Sequence, residues 1–316
     1  MTTSSYALRL VCLSLAVLFL VHAAVELAVA ICAPAMLRRA ERWRAAAAAQ
    51  TMLALRLLPA ASALFVMFAI CIPSYLRLEP AATEEDIGIA CLALAAMGAA
   101  MWGFSIARTA RALLRSMRHL RAWRRRGSEA TIGDRRVWMV DGSGQTLALA
   151  GIFRPKLIVS RNIVETLPAD QLAAALRHER AHADAWDNSK RLLMLLAPNL
   201  TLRSQVERAW ARFAEWSADD RAAEGDANRS VSLAGALVSV ARLGSSSVPP
   251  LATALMANSG DLQVRVERLL RERSEVRPVP AALIAGSLLA AGTLLTLTVH
   301  PGTLSVAYRI LERLVD

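Results

Sequence analysis

His178-Glu179-Arg180-Ala181-His182 places residue types that can do chemistry at a spacing that lets them act together. In an α-helix, residues four apart lie on one face, so His178 and His182 can grip a single metal ion. Zinc suits two imidazoles and holds a water molecule whose pKa it lowers to about 7, giving a nucleophile at neutral pH. Glu179 stands beside that position, able to take the proton as general base and pass it to a leaving amine. The chemistry implied is hydrolysis of a peptide bond. A purely structural metal site would need no base at Glu179.

Two histidines leave such a site short of a third protein ligand. The acidic helical stretch downstream carries Glu207, Glu215, Asp219, Asp220 and Glu224. Glu215 and Asp219 are four apart and share a face, so Glu215 can ligate while Asp219 holds a histidine ring. The same spacing also fits a solvated helix in which Arg208 and Arg212 pair with these acids. Spacing alone leaves both readings open.

The stretch Gly151-Ile152-Phe153-Arg154-Pro155-Lys156-Leu157-Ile158-Val159-Ser160, then Leu167-Pro168, His178–His182 and Asp187-Asn188, resembles the BlaR/MecR type of membrane zinc metallopeptidase. That family comprises antibiotic-sensor signal transducers and their relatives. Its members carry H-E-x-x-H followed by E-x-x-x-D. Glu215-Trp216-Ser217-Ala218-Asp219 matches the second motif, with Arg221-Ala222-Ala223 after it. The resemblance covers the membrane layout and most of Arg108–Pro280. It implies a gluzincin-type fold, Glu215 as the third zinc ligand and Asp219 as the residue that orients a ligand. Sensor members continue into an outer penicillin-binding domain, whereas this sequence stops at Asp316, soon after Val299. The expectation is therefore a peptidase that does not sense the antibiotic by itself.

The site must be carried on a membrane protein. The composition is 55 % hydrophobic yet 20 % charged, with a mean hydropathy of +0.37, because the apolar residues are gathered in blocks. Four blocks, Tyr6–Leu37, Leu57–Leu76, Ile87–Ala107 and Val279–Val299, are each long enough for the roughly 20 residues that a transmembrane helix needs. The first contains a cleavage-like Ala28-Val29-Ala30, but it far exceeds the roughly 7–15 apolar residues of a signal peptide. It is read as a span. Arg38, Arg39, Arg42 and Arg44 make the first loop basic, and Glu79, Glu84, Glu85 and Asp86 make the second acidic. Basic loops stay inside. The expected arrangement is a multi-pass protein of a bacterial-type inner membrane, with both termini outside and Arg108–Arg277 in the cytoplasm.

The net charge of +11 gathers partly between Arg108 and the run Arg124-Arg125-Arg126. Directly after a span, this reads as a juxtamembrane helix on the anionic inner leaflet, with no nucleic acid as partner. Cys12, Cys32, Cys71 and Cys91 fall in apolar blocks, as membrane-embedded thiols and not as metal ligands or a disulfide framework. His22 and Glu26, four apart in the first span, are read as a mutual hydrogen bond that pins a neighbouring helix.

The inner segment reads as a small α+β domain. Strands are expected at Val137–Val140 and Thr146–Ala150, joined by Asp141-Gly142-Ser143-Gly144 as a turn, and at Leu157–Ser160. Helices are expected at Pro168–Trp186, through Leu192–Leu196, at Arg203–Glu224, Ser230–Leu243 and Asp261–Arg273. Leu147, Ala148, Leu149, Ala150 and Gly151 are the candidate edge strand for pairing with an extended peptide substrate. Leu304, Tyr308, Leu311 and Val315 form a helical stripe in the tail, for the outer membrane face or a partner.

The fold class expected is thus an α-helical membrane protein of four transmembrane helices with an inserted cytoplasmic α+β gluzincin-type zinc metallopeptidase domain. Its parts are residues 1–107, 108–277 and 278–316. The expected function is zinc-dependent endopeptidase cleavage in signal-dependent proteolysis of a cytoplasmic transcriptional repressor, or of the chain itself. A separate outer sensor partner can supply the signal. The alternatives are a housekeeping membrane protease of the HtpX type and a non-catalytic signalling scaffold stabilised by metal.

Overall fold

The computed structural model describes residues 2–79, 87–133, 135–141, 146–153, 155–200, 205–243, 251–254 and 261–271, with 302, 305, 306, 309 and 310. The expected fourth span, Val279–Val299, lies outside the described residues, as do Gly142–Gly144 and most of the tail stripe.

Three helices among the described residues are long and apolar enough to cross a membrane. The first is α1 (Thr2–Ala40). The second runs through α2 (Ala45–Val66), a π-helical turn (Met67–Cys71) and α3 (Ile72–Leu78) without a break. The π turn lies just before Pro73, which has no N–H to give and so locally disturbs the regular ladder. The third is α4 (Ile89–Arg126), in which the apolar block and the arginine-rich stretch form one continuous helix. Of the four cysteines, all free, Cys12, Cys71 and Cys91 are buried and Cys32 is exposed.

Small residues let α1 and α4 approach closely. Cys12 and Ala16 pack against Cys91 and Ala95. At Gly98 a Cβ would come within 2.3 Å of the Leu15 carbonyl oxygen. In helices apolar enough to cross a membrane, such backbone proximity supplies the dispersion contacts that hold them together. Gly98→Leu should push the two helices apart and cost about 1–3 kcal/mol. Denaturant titration in detergent, with unchanged stability as the adverse result, checks this.

The part of the chain after α4 holds a five-stranded mixed sheet in the order β1-β2-β4-β3-β5. The strands are β1 (Gly127–Ile132), β2 (Arg135–Val140), β3 (Leu147–Ala150), β4 (Lys156–Ser160) and β5 (Ala252–Ala254). β2 and β3, which follow one another along the chain, do not pair with each other. β2 pairs antiparallel with β1 and parallel with β4, and β4 lies between β2 and β3. The turn chemistry at Asp141–Gly144 is a local signal, and it does not decide which strand inserts between its two neighbours. β1 has no counterpart among the expected strands. It is an edge strand bearing Ser128, Glu129 and Thr131, with too little apolar alternation to be read from sequence.

The helices of this part are α5 (Arg161–Thr166), α6 (Ala169–Asp184), α7 (Asp187–Leu196), α8 (Gln205–Ala223), α9 (Ala227–Leu243) and α10 (Leu262–Leu270). One core joins the sheet to α6 and α9 through Val137, Leu147, Val159, Leu176, Leu233 and Leu237. A second core joins this part to the long apolar helices. There Trp43 and Met52 meet Met194, Trp210 and Phe213, so α8 is packed directly on α2.

Candidate metal centre

α6 is buried around most of its circumference, because the sheet core and α9 cover one side and α8 the other. Pro168 occupies its N-cap position, and Asp170 in the first turn suits the positive end of the helix dipole. The helix therefore carries His178, Glu179 and His182 inward, where none is more than 1 % exposed. α8 packs alongside and brings Glu215 and Asp219 to the same place.

Three ligand atoms converge. His178 Nε2 and His182 Nε2 are 3.2 Å apart. Glu215 Oε2 lies 3.5 Å from the first and Glu215 Oε1 lies 3.6 Å from the second. Ligands about 2.0–2.1 Å from a tetrahedral zinc ion are spaced about 3.3 Å from one another. Each nitrogen thus has the other nitrogen and one Glu215 oxygen near the spacing such an ion needs, and one ligand atom from each of the three residues lies within 4.8 Å of the others. The buried His178, His182 and Glu215 group can bind a metal ion.

Each ring is held from behind. His182 Nδ1 is 2.7 Å from Asp187 Oδ2 in a buried hydrogen bond. His178 Nδ1 lies at an ion-pair distance of 3.0 Å from Asp219 Oδ1. The Asp187 carboxylate on His182 Nδ1 keeps a proton there and leaves Nε2 for the centre, while Asp219 approaches His178 Nδ1 without hydrogen-bond geometry. The two Nε2 atoms, 3.2 Å apart with Glu215 beside both, face one common point where a cation can sit.

The electrostatics of the chain follow from this crowding. Burial disfavours charge on His182, but Glu215 and Asp187 outweigh it and push the imidazole up to about 10. His178 is raised likewise, with burial opposed by Asp219 and Glu215. Burial would raise Glu215, yet Arg265 and the histidines hold it well below the usual carboxylate range. Asp219, buried too, is held down to about 2 by Arg265 and His178. Glu179 goes the other way, and burial lifts it above an ordinary glutamate. Neither of its carboxylate oxygens has a hydrogen-bond partner among the described residues.

The sequence reading named His178, Glu179, His182, Glu215 and Asp219, and all five meet here. Two further residues belong to the site. Asp187 follows α6 by only three residues, and its signal was its place just beyond the second histidine. Arg265 of α10 donates Nε to Asp219 Oδ2 at 2.9 Å and Nη2 to Asp219 Oδ1 at 2.7 Å. Its Nη1 lies 3.1 Å from Glu215 Oε2. Its signal was a charge on the apolar stripe formed by Leu262, Val266 and Leu269.

The candidate substrate strand, Leu147 to Gly151, is corrected on one point. β3 is not a free edge, because β5 pairs with it antiparallel over Ala148–Ala150. Asn188 of α7 also anchors this strand, donating to the carbonyls of Leu149 at 3.1 Å and Gly151 at 2.8 Å. A three-residue partner supplied from the distant α9–α10 connection leaves little periodic signal in the sequence.

Asp187→Asn should weaken metal binding about 10–100-fold, since an amide can present its NH₂ to Nδ1 and no longer fixes the tautomer. Competition with a chelator measures this, and unchanged affinity would remove Asp187 from the site.

A scan of protein-family models finds no match to this chain, and neither do searches of curated proteins and of solved structures.

Proposed function

We propose that the chain is a membrane-bound zinc endopeptidase of the gluzincin type, with His178, His182 and Glu215 as ligands and Glu179 as general base. The observation that carries the reading is the buried, unpartnered Glu179 carboxylate beside three converging ligand atoms. A structural metal site gives no reason to bury an unpaired carboxylate there, and this weighs against the scaffold reading. The donor set of two imidazoles and one carboxylate favours zinc and leaves a fourth position for substrate or water.

When bound, zinc polarises the scissile carbonyl and acidifies water. Glu179, buried beside the ligand atoms without a hydrogen-bond partner among the described residues, would accept a proton on its carboxylate and release it to the departing amine. Its raised pKa moves it toward the operating pH, where an acid–base group is most effective. Asp187 and Asp219 hold the imidazoles in orientation while Arg265 holds Asp219 and Glu215. These contacts keep the ligands fixed through turnover.

The basic first loop and the basic end of α4 support a site on the cytoplasmic side, with Val279–Val299 as a fourth span. The substrate is an extended segment of a cytoplasmic protein such as a transcriptional repressor, or of the chain itself. The second branch has support in the fold, because Ala252–Ala254 already lies along β3 as an extended peptide would. The resemblance to BlaR/MecR-type peptidases points to signal-dependent action, with the signal arriving through the spans or from an outer partner.

The test uses the full chain purified in detergent. About one zinc per chain, with fragment formation stopped by a chelator and restored by zinc, supports the reading. A zinc-free protein, or cleavage indifferent to the chelator, overturns it.

A further inference from the structure

The last four carbonyls of a helix have no partner within it. In α7 they are satisfied almost entirely from outside the helix. The Leu193 carbonyl accepts from the Ala197 N–H at 2.9 Å. The Met194 carbonyl accepts from Arg56 Nη2 at 2.8 Å. The Leu195 carbonyl accepts from Arg108 Nη2 at 3.0 Å. Ser105 Oγ lies 2.8 Å from the Leu196 carbonyl and 2.9 Å from that of Leu195. Arg56 reaches on to the carbonyls of Ala197 at 3.0 Å and Pro198 at 3.1 Å.

Arg56 belongs to α2, and Ser105 and Arg108 belong to α4. Two membrane spans thus cap one short helix of the inner part. The first span adds a further hold, for the Leu200 N–H donates to the Glu26 carboxylate at 3.1 Å. Glu26 Oε2 also lies 3.1 Å from His22 Nε2. The His22–Glu26 pair therefore pins the chain just after α7, where the sequence reading expected it to pin a neighbouring helix. Arg56 is 5 % exposed, and the partial negative charge at the end of α7 helps to compensate its burial.

The other end of α7 holds the metal centre. Asp187 carries His182, Asn188 carries two carbonyls at the end of β3, and Ser189 Oγ donates to the Ile152 carbonyl at 3.1 Å. Between the ends lies a rod of ten residues, about 15 Å long. A helix of that length with both ends bonded moves as one body. Only Ala185 and Trp186 separate it from α6, and Trp186 takes a left-handed φ of 59°. The joint is the place where a shift of α7 is absorbed relative to the helix bearing the histidines.

We propose that Arg56, Ser105 and Arg108 are positioning residues for the metal centre, which cap α7 from the spans and so set Asp187 against His182. α7 is the element that couples the arrangement of the membrane helices to the site. This rests on the metal reading of His178, His182 and Glu215.

The test uses the full chain in lipid nanodiscs of phosphatidylethanolamine and phosphatidylglycerol, loaded with cobalt(II). Chelator competition reads affinity, the visible absorption bands read ligand geometry, and hydrogen exchange reads amides 187–196. Arg56→Gln should lower cobalt affinity about tenfold, shift the bands and raise exchange in α7, as loss of an outer partner of a metal ligand does. Arg56→Lys keeps the charge but not the two-armed donor and should fall between. Arg111→Gln, an exposed arginine of the same stretch, should match wild type. Ser105→Ala removes a single hydroxyl, and should move affinity and bands in the same direction even if Arg56→Gln fails to fold. Unchanged affinity and bands in Ser105→Ala, or in a folded Arg56→Gln, overturn the proposal. Wild type that binds no cobalt sinks the metal reading and this inference with it. Wild type that binds it, beside variants that bind it equally well, sinks the inference alone.

Discussion

Glu179→Gln should leave zinc in place and stop cleavage. The side chains are nearly the same size, and Glu179 is not among the three converging ligand atoms. An amide cannot accept the proton, so the loss should fall in the range of about 10²–10⁴ in the catalytic rate that a positioned base contributes. The same substitution should not destabilise the fold. Burying an ionised carboxylate with no partner is unfavourable, and the neutral amide removes that cost. Activity and stability should therefore separate in one variant, a sign of a residue placed for chemistry. Metal analysis, single-turnover cleavage and thermal unfolding of one preparation give the three readings. Cleavage at the wild-type rate, or loss of zinc together with activity, would sink the assignment of Glu179 as base.

The largest effect on stability should come from Arg265→Met. Arg265 is buried and bonds bidentately to Asp219 while touching Glu215. Methionine fills much of the volume but leaves two buried carboxylates without their cation. Removing one partner of a buried ion pair costs about 3–5 kcal/mol. The metal-free protein should show the full loss, and zinc should return part of it by binding the folded state. The pH dependence has a definite sign. Asp219 has a folded pKa held down to about 2, against about 3.9 in an unfolded chain. Its contribution is fully present above the unfolded value and is lost as pH falls through the folded one. Without Arg265 the folded value rises, so the variant should lose the Asp219 contribution at higher pH than wild type. Denaturant unfolding between neutral and acid pH decides this, and equal acid sensitivity would show that Arg265 does not hold Asp219.

Much of this site could be read from the sequence because its first half is local. His178 and His182 are four apart, and the helical repeat alone puts them on one face. Glu215 and Asp219 repeat the argument on α8, and their buried positions exclude the solvated-helix alternative. The three helices apolar enough to cross a membrane are legible for a similar reason, since a run of apolar residues long enough for a bilayer needs no tertiary information. Arg265 was not legible. It lies 46 residues beyond Asp219 and meets it only when α10 docks. Its one local sign, a charge on an apolar stripe, is shared by many partly exposed helices.

The two histidines, the glutamate between them, the acids on the next long helix and the apolar helices are all readable from the sequence alone. Each follows from a period written along a continuous segment. The tertiary structure alone decided that β4 separates β2 from β3, that β5 closes the edge of β3, and that Arg265 secures the acids. It also decided that α7 ends on Arg56, Ser105 and Arg108 of the spans. These are partnerships between distant segments. Carbonyls at a helix end and unpaired strand edges take whichever donor the packing brings to them, and no local repeat records which one that is.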